Sequence, residues 1–146
     1  MPMERKRIDF YRKWNGKPLE DWGSVVSKDY ASFQRCFGNI LKHIATELGA
    51  TLCWYSKGHY DETAMFERDG KFVYLSHFND LYNRATPRLR SFLIRSAQHA
   101  KDYTGGCNEY ANWPQLVNEM DRILGGDGKI EDVDKFPLKW SLSYGW

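Results

Sequence analysis

A two-residue turn, Asp69–Gly70, constrains the fold of this chain more than any other feature. It joins two runs rich in strand-forming residues, 62–68 and 71–77. Asp and Gly both tolerate the positive φ angles of a type I′ turn, so the pattern predicts an antiparallel hairpin. The second run carries large apolar side chains at both odd and even positions, which predicts a strand covered on both faces.

Two amphipathic helices flank the predicted strands. Over residues 27–48, apolar side chains recur at steps of three and four residues, and Gly49 stands just past the end of this stripe. A second stripe covers residues 113–124. Before it, Asn112 and Gln115 have the spacing of a capping box, which predicts that a helix begins there.

Short runs at 51–56 and 91–96 complete the predicted strands. Consecutive strands with close connections pair antiparallel, and both helices must bury their apolar stripes. We therefore predict an α+β fold: an antiparallel sheet of four or five strands with two amphipathic helices packed on one face. We expect one domain over residues 1–146, organised as an N-terminal arm (1–26), an α-β-β-β-β-α body (27–124) and an aromatic C-terminal tail (125–146).

Composition excludes several classes of protein. Aromatic residues make up 16% of the chain, which argues for a packed core. No apolar run approaches the roughly 18 residues of a membrane span, and the N-terminus has no signal-peptide stretch, so we expect a cytoplasmic protein without a membrane partner. Three widely spaced cysteines fit a reducing compartment, and we expect Cys36 and Cys53 to be small core residues.

The net charge of +2 excludes an acidic DNA mimic, but the charges are unevenly distributed. Basic residues crowd the first seventeen positions and residues 84–101, whereas the C-terminal quarter is acidic. Such asymmetry indicates either a nucleic-acid face or charged surfaces that pair with each other. The candidate residues for binding a polyanion or a partner are Arg84, Arg88, Arg90, Arg95, His99, Lys101, Tyr103, Gly105 and Gly106, with Arg12, Lys13 and Trp14 on the arm.

Catalytic signals are weak. Gly105 and Gly106 could form an anion-binding nest or simply a structural turn, and their spacing matches neither nucleotide-binding fingerprint. His59 beside Asp61 and Glu62 suggests either acid–base chemistry or a solvated turn. The histidines and cysteines lack metal-binding spacing, so we expect no catalytic residue, metal or cofactor. An enzyme acting on a phosphorylated small molecule at residues 95–106 is a further alternative.

Three stretches carry a resemblance to known proteins: WNGKPLEDW at 14–22, GHYDE with KFVYLS at 58–76, and RSAQHAKDYTGG with CNEY at 95–110. Together they resemble small orphan proteins encoded by gut bacteria, their phages and mobile elements. That setting includes type II anti-CRISPR proteins, which inhibit Cas9. The resemblance covers about residues 10–124 and implies no active-site residue.

Two functional hypotheses follow. The first is a non-catalytic binding protein, with Cas9 or its RNA complex as the partner that the resemblance implies. Trp, Tyr and Arg, which are frequent in this chain, are enriched at interface hot spots. The alternative is a nucleic-acid-binding module that uses the basic arm and the 84–101 segment.

Overall fold

The computed structural model describes residues 3–17, 28–58, 61–78, 89, 91–102 and 106–131. Over this part of the chain the elements are α1 (Met3–Trp14), α2 (Lys28–Leu48), β1 (Thr51–Lys57), β2 (Asp61–Arg68), β3 (Lys71–Phe78), β4 (Phe92–Ala97), β5 (Glu109–Ala111) and α3 (Trp113–Ile123). None of the described helices combines the length and the apolar character needed to cross a bilayer.

The five strands form one antiparallel sheet in the order β1-β2-β3-β4-β5. The α+β prediction is therefore confirmed. The central hairpin closes as expected, because Asp69 (φ 52°) and Gly70 (φ 81°) both adopt positive φ angles between the paired residues Arg68 and Lys71. Strand β5 brings the sheet to five strands, the upper end of the predicted four or five.

The core lies between the helices and one face of the sheet, which we call the inner face. Ala64, Leu75 and Ile94 are paired across β2, β3 and β4, and all three are fully buried. Residues paired directly across strands point to the same side of a sheet. Phe37 of α2 and Trp113 of α3 both reach the ring of Phe92 on β4, with centroid distances of 6.1 and 5.5 Å. Large aromatic side chains therefore join the helices to the sheet.

Helix α3 begins as its sequence predicts. The Asn112 side chain accepts a hydrogen bond from the Gln115 backbone N–H at 3.0 Å, and the Gln115 side chain accepts one from the Asn112 N–H at 3.4 Å. Both members of the capping box are present, so two otherwise unpaired donors of the first turn are satisfied.

The segment interpreted as an N-terminal arm begins with helix α1, which belongs to the core. The ring of Phe10 lies 5.0 Å from that of Trp113, and the Trp113 indole donates to the Arg7 carbonyl at 2.9 Å. The buried face of α1 follows helical spacing through Arg7, Phe10, Tyr11 and Trp14. One member of this stripe is charged, which is why apolar periodicity did not reveal the helix.

Arg7 connects α1 to two acidic residues. Its Nε and Nη2 donate to the Glu47 carboxylate at 2.9 and 2.8 Å, and Nη1 forms an ion pair with Glu131. Burial lowers the pKa of Arg7, but the two carboxylates outweigh it and leave the pKa raised. Part of the charge asymmetry is thus compensated inside the protein, because a basic N-terminal residue pairs with an acidic residue of the C-terminal quarter.

Residues 132–146 of the expected aromatic tail lie outside the described residues.

Candidate functional site

Two of the three predicted arm residues lie in a cavity between α1 and α2. The cavity has a volume of about 320 Å³, and we call it the basic groove. Its walls are formed by Lys13, Trp14, Lys17, Asp29, Ser32, Arg35 and Cys36. Helix α1 supplies the indole and one cation, the turn after α1 supplies a second cation, and the first two turns of α2 supply the third.

The cations of the basic groove gather around one indole. The Nζ atoms of Lys13 and Lys17 lie 5.0 and 5.1 Å from the centroid of the Trp14 ring, within cation–π range. Arg35 donates to Ser32 Oγ at 3.2 Å. Among the described residues, none of these three cations forms an ion pair with a carboxylate. The cavity therefore holds three cations against one carboxylate, that of Asp29, and its described lining carries a net positive charge.

A second cavity, of about 310 Å³, adjoins the first, and we call it the apolar groove. It is lined by Lys6, Asp9, Phe10, Lys13, Trp14, Cys36, Asn39, Ile40 and His43. Three of these residues, Lys13, Trp14 and Cys36, also line the basic groove. At its rim, Lys6 Nζ lies 3.4 Å from His43 Nε2. The two grooves thus share one wall.

Arg12, the remaining arm residue, is exposed but lines neither groove. Sequence reasoning missed Arg35 and His43, which come from α2. The relevant signal was the polar side of the α2 helix, but only the packing of α1 shows which part of that side borders a cavity.

The cysteine prediction was wrong for Cys53, which is exposed, and Cys36 is only partly buried. Cys53 lies on the edge strand β1, where the register shifts between Leu52 and Trp54. From Thr51 to Trp54, exposed and half-buried positions alternate, and Cys53 falls on an exposed position.

The second predicted cluster lies around β4. Arg95 points to the face opposite the core, where its guanidinium carbon stacks 4.3 Å from the centroid of the Tyr74 ring. Its side chain is buried, and its Nε and Nη2 have no hydrogen-bond acceptor among the described residues. Arg95 is therefore a covered cation, not an open one.

The loop after β4 lies over that outer face. The indole of Trp54 donates to the Ala100 carbonyl at 2.6 Å, which brings the loop back across the sheet. His99 and Lys101 are exposed on this loop. Gly106 has a φ of 74°, and a Cβ there would collide with the Ser96 carbonyl, so this position requires glycine. Arg84, Arg88, Arg90, Tyr103 and Gly105 lie outside the described residues.

Among the described residues, the closest approach to acid–base chemistry is a buried pair on the inner face. His77 Nδ1 lies 2.8 Å from Glu62 Oε1, and Glu62 Oε2 accepts from Gln34 Nε2 at 3.0 Å and from the Tyr30 hydroxyl at 3.4 Å. Both members of the pair are at most 1% exposed, so a substrate does not reach them. This network holds α2 against β2 and β3. His59, the third member of the predicted turn cluster, lies outside the described residues.

Within the described ranges, no three His, Cys, Asp or Glu side chains gather to hold a metal ion. Comparisons with protein-family models, curated proteins and solved structures give no match for this chain. The arrangement of side chains therefore carries the functional argument.

Proposed function

We propose that this chain is a non-catalytic binding protein that docks an acidic surface of a partner protein on the basic groove. One observation carries the proposal: Lys13 and Lys17 lie over the Trp14 ring, Arg35 lines the same cavity, and among the described residues none of these cations has a carboxylate partner. Like charges brought together repel each other, and an incoming carboxylate relieves that repulsion.

One feature of the basic groove favours a protein over a nucleic acid. Trp14 is only 4% exposed, so its ring offers no platform on which a base could stack. A protein surface presents separate carboxylates, which contact the cations without stacking on the ring.

The resemblance to proteins of phages and mobile elements selects the partner to test first, a Cas9-type nuclease in the cytoplasm. The net charge of +2 is compatible with blocking a protein surface of the nuclease or competing with its RNA. Both modes inhibit cleavage without imitating duplex DNA.

The test measures binding and cleavage in parallel. The full chain is immobilised, and purified Cas9 orthologues are passed over it with and without guide RNA; target cleavage is then measured in the same mixtures. We expect at least one orthologue to be retained and to cut its target more slowly. If no orthologue is retained or inhibited, the Cas9 assignment is rejected.

Neighbouring residues of α1 provide a matched pair of variants. Lys13→Glu and Arg12→Glu change the net charge equally, but only Lys13 lines the groove. We expect Lys13→Glu to weaken partner binding by about tenfold or more, and Arg12→Glu to change it less than about twofold. Equal losses would show that overall charge, not the groove, drives binding.

The alternative, a nucleic-acid-binding module, is favoured by one observation on the outer face of the sheet. Tyr110 of β5 is 64% exposed and pairs with Leu93, so it shares a face with Arg95. An exposed aromatic on a sheet face that also carries a basic side chain is typical of single-strand binding. Fluorescent single-stranded and duplex oligonucleotides test it: binding must weaken steeply with added salt and be lost in Tyr110→Ala. An absent or salt-insensitive signal rejects this function.

A further inference from the structure

The basic groove and the apolar groove lie side by side and differ in chemistry. Their volumes of about 320 and 310 Å³ are at the lower end of the range for small-molecule pockets, about 300–1,000 Å³. Each is suited to one or two side chains. Because Lys13, Trp14 and Cys36 line both, a bound segment that fills one groove passes directly into the other.

The basic groove selects an anion. Two ammonium groups lie about equally far from one indole ring, and Arg35 lines the same cavity. A carboxylate entering here meets donors from both helices.

The apolar groove selects a hydrophobic group. Phe10 and Ile40 form its floor and are almost completely buried, at 7% and 5% exposure. Asp9, at its rim, pairs with Arg5 at 3.5 Å, so the acidic group there is already matched. An apolar side chain seated on this floor would remove further apolar surface from water.

We propose that the two grooves together bind a segment in which an acidic side chain stands next to an apolar one. The carboxylate lies against Lys13, Lys17 and Arg35, and the apolar side chain lies on Phe10 and Ile40. This inference rests on the proposed function and adds the chemical pattern of the partner segment. Charge complementarity fixes the first contact, and the adjoining apolar floor fixes the second.

The test identifies binding peptides by selection, so that no peptide sequence is assumed beforehand. A random peptide library displayed on phage is panned against the full chain and depleted against its Lys13→Glu variant. Enriched peptides are expected to share an Asp or Glu within about three positions of a large apolar residue. Failure to enrich any peptide, or enrichment of sequences lacking either member of the pair, overturns the inference.

Variants of α2 separate the two grooves. Asn39→Arg places a charged side chain in the apolar groove, and Thr46→Arg makes a similar change at an exposed position of α2 that lines neither groove. For a selected peptide, we expect Asn39→Arg to weaken binding about tenfold and Thr46→Arg to leave it within about twofold. Equal affinities for the two variants contradict the apolar contact.

The native cysteines report where the peptide sits. Cys36 lines both grooves, whereas Cys53 and Cys107 are exposed elsewhere. A saturating peptide is expected to slow alkylation of Cys36 several-fold and leave the other two rates unchanged. Unchanged Cys36 reactivity overturns the inference.

If no peptide is enriched but capture of an intact partner still depends on Lys13, the proposed function stands and only the segment pattern is rejected.

Discussion

Gly38 of α2 lies directly against the ring of Tyr55 on β1. A Cβ at position 38 would stand 2.7 Å from Tyr55 Cε2. The Tyr55 hydroxyl donates to the Gln34 carbonyl at 2.6 Å, so the ring is tied to the same helix that it touches. Because glycine has no side chain at position 38, helix α2 lies close to the edge strand β1 at this point.

This contact reverses the usual effect of replacing a helical glycine. Gly38→Ala favours the helix by about 1 kcal/mol, but overpacking against a fixed ring costs about 1–3 kcal/mol. We expect a net loss of about 1 kcal/mol in the free energy of unfolding, measured in urea. In a Tyr55→Leu background the same change is expected to be neutral or stabilising. Stabilisation by Gly38→Ala in the native background would contradict the close approach.

The Arg7 ion pairs are expected to be essential for stability. Arg7→Met leaves the Glu47 and Glu131 carboxylates buried without their cation, at 8% and 0% side-chain exposure. Removing one partner of a buried pair costs about 3–5 kcal/mol. Chemical unfolding followed by circular dichroism measures this loss.

The same helix supplies the control for that experiment. Arg5 pairs with Asp9 at 3.5 Å, but its side chain is 61% exposed. Exposed pairs contribute about 0–1 kcal/mol, so Arg5→Met is expected to cost less than about 1 kcal/mol. Similar losses for Arg5→Met and Arg7→Met would show that burial of the Arg7 network is unimportant.

Tyr30 is expected to make the fold sensitive to alkaline pH. Burial, reinforced by the Glu62 carboxylate, raises the pKa of its hydroxyl far above the usual 10.0. Above about pH 10 the unfolded chain releases this proton while the folded chain keeps it, so the unfolded state binds fewer protons and stability falls as pH rises. The contribution of Tyr30 is complete below that pH.

The variant Tyr30→Phe isolates this effect. At pH 7 it loses the hydrogen bond to Glu62, at a cost of about 1 kcal/mol. Above about pH 10, the difference in unfolding free energy between the native chain and the variant should shrink by about 1.4 kcal/mol per pH unit. Urea titrations from pH 7 to 11.5 measure the two slopes. Parallel slopes would mean that Tyr30 ionises equally in both states.

Arg95 is expected to lower stability. Its Nε and Nη2 are buried without an acceptor among the described residues, and each unsatisfied donor costs about 1–3 kcal/mol. Its stacking on Tyr74 contributes only about 1–2 kcal/mol of stabilisation. We expect Arg95→Met to unfold at a higher temperature than the native chain. We expect Arg95→Lys, which keeps the charge, to unfold at a lower temperature than the native chain. A lower Tm for Arg95→Met would contradict this account.

Local patterns were enough to identify much of the fold. The α2 stripe, the Asp69–Gly70 turn and the Asn112 capping box were all predicted, because each depends on residues within a few positions of one another. The candidate site was predicted less completely. Lys13 and Trp14 were identified because they lie in the basic N-terminal segment. Arg35 enters the groove only through the packing of α2 against α1.

By itself, the sequence determined the type and limits of most elements, because backbone hydrogen bonding and side-chain periodicity are short-range. Only the tertiary structure decided that α1 is a core helix, since Arg7 can be buried only where Glu47 and Glu131 meet it from distant parts of the chain. It also decided which cations share a cavity. Burial and the convergence of like charges are properties of neighbours in space, and those neighbours are set by the packing of whole elements.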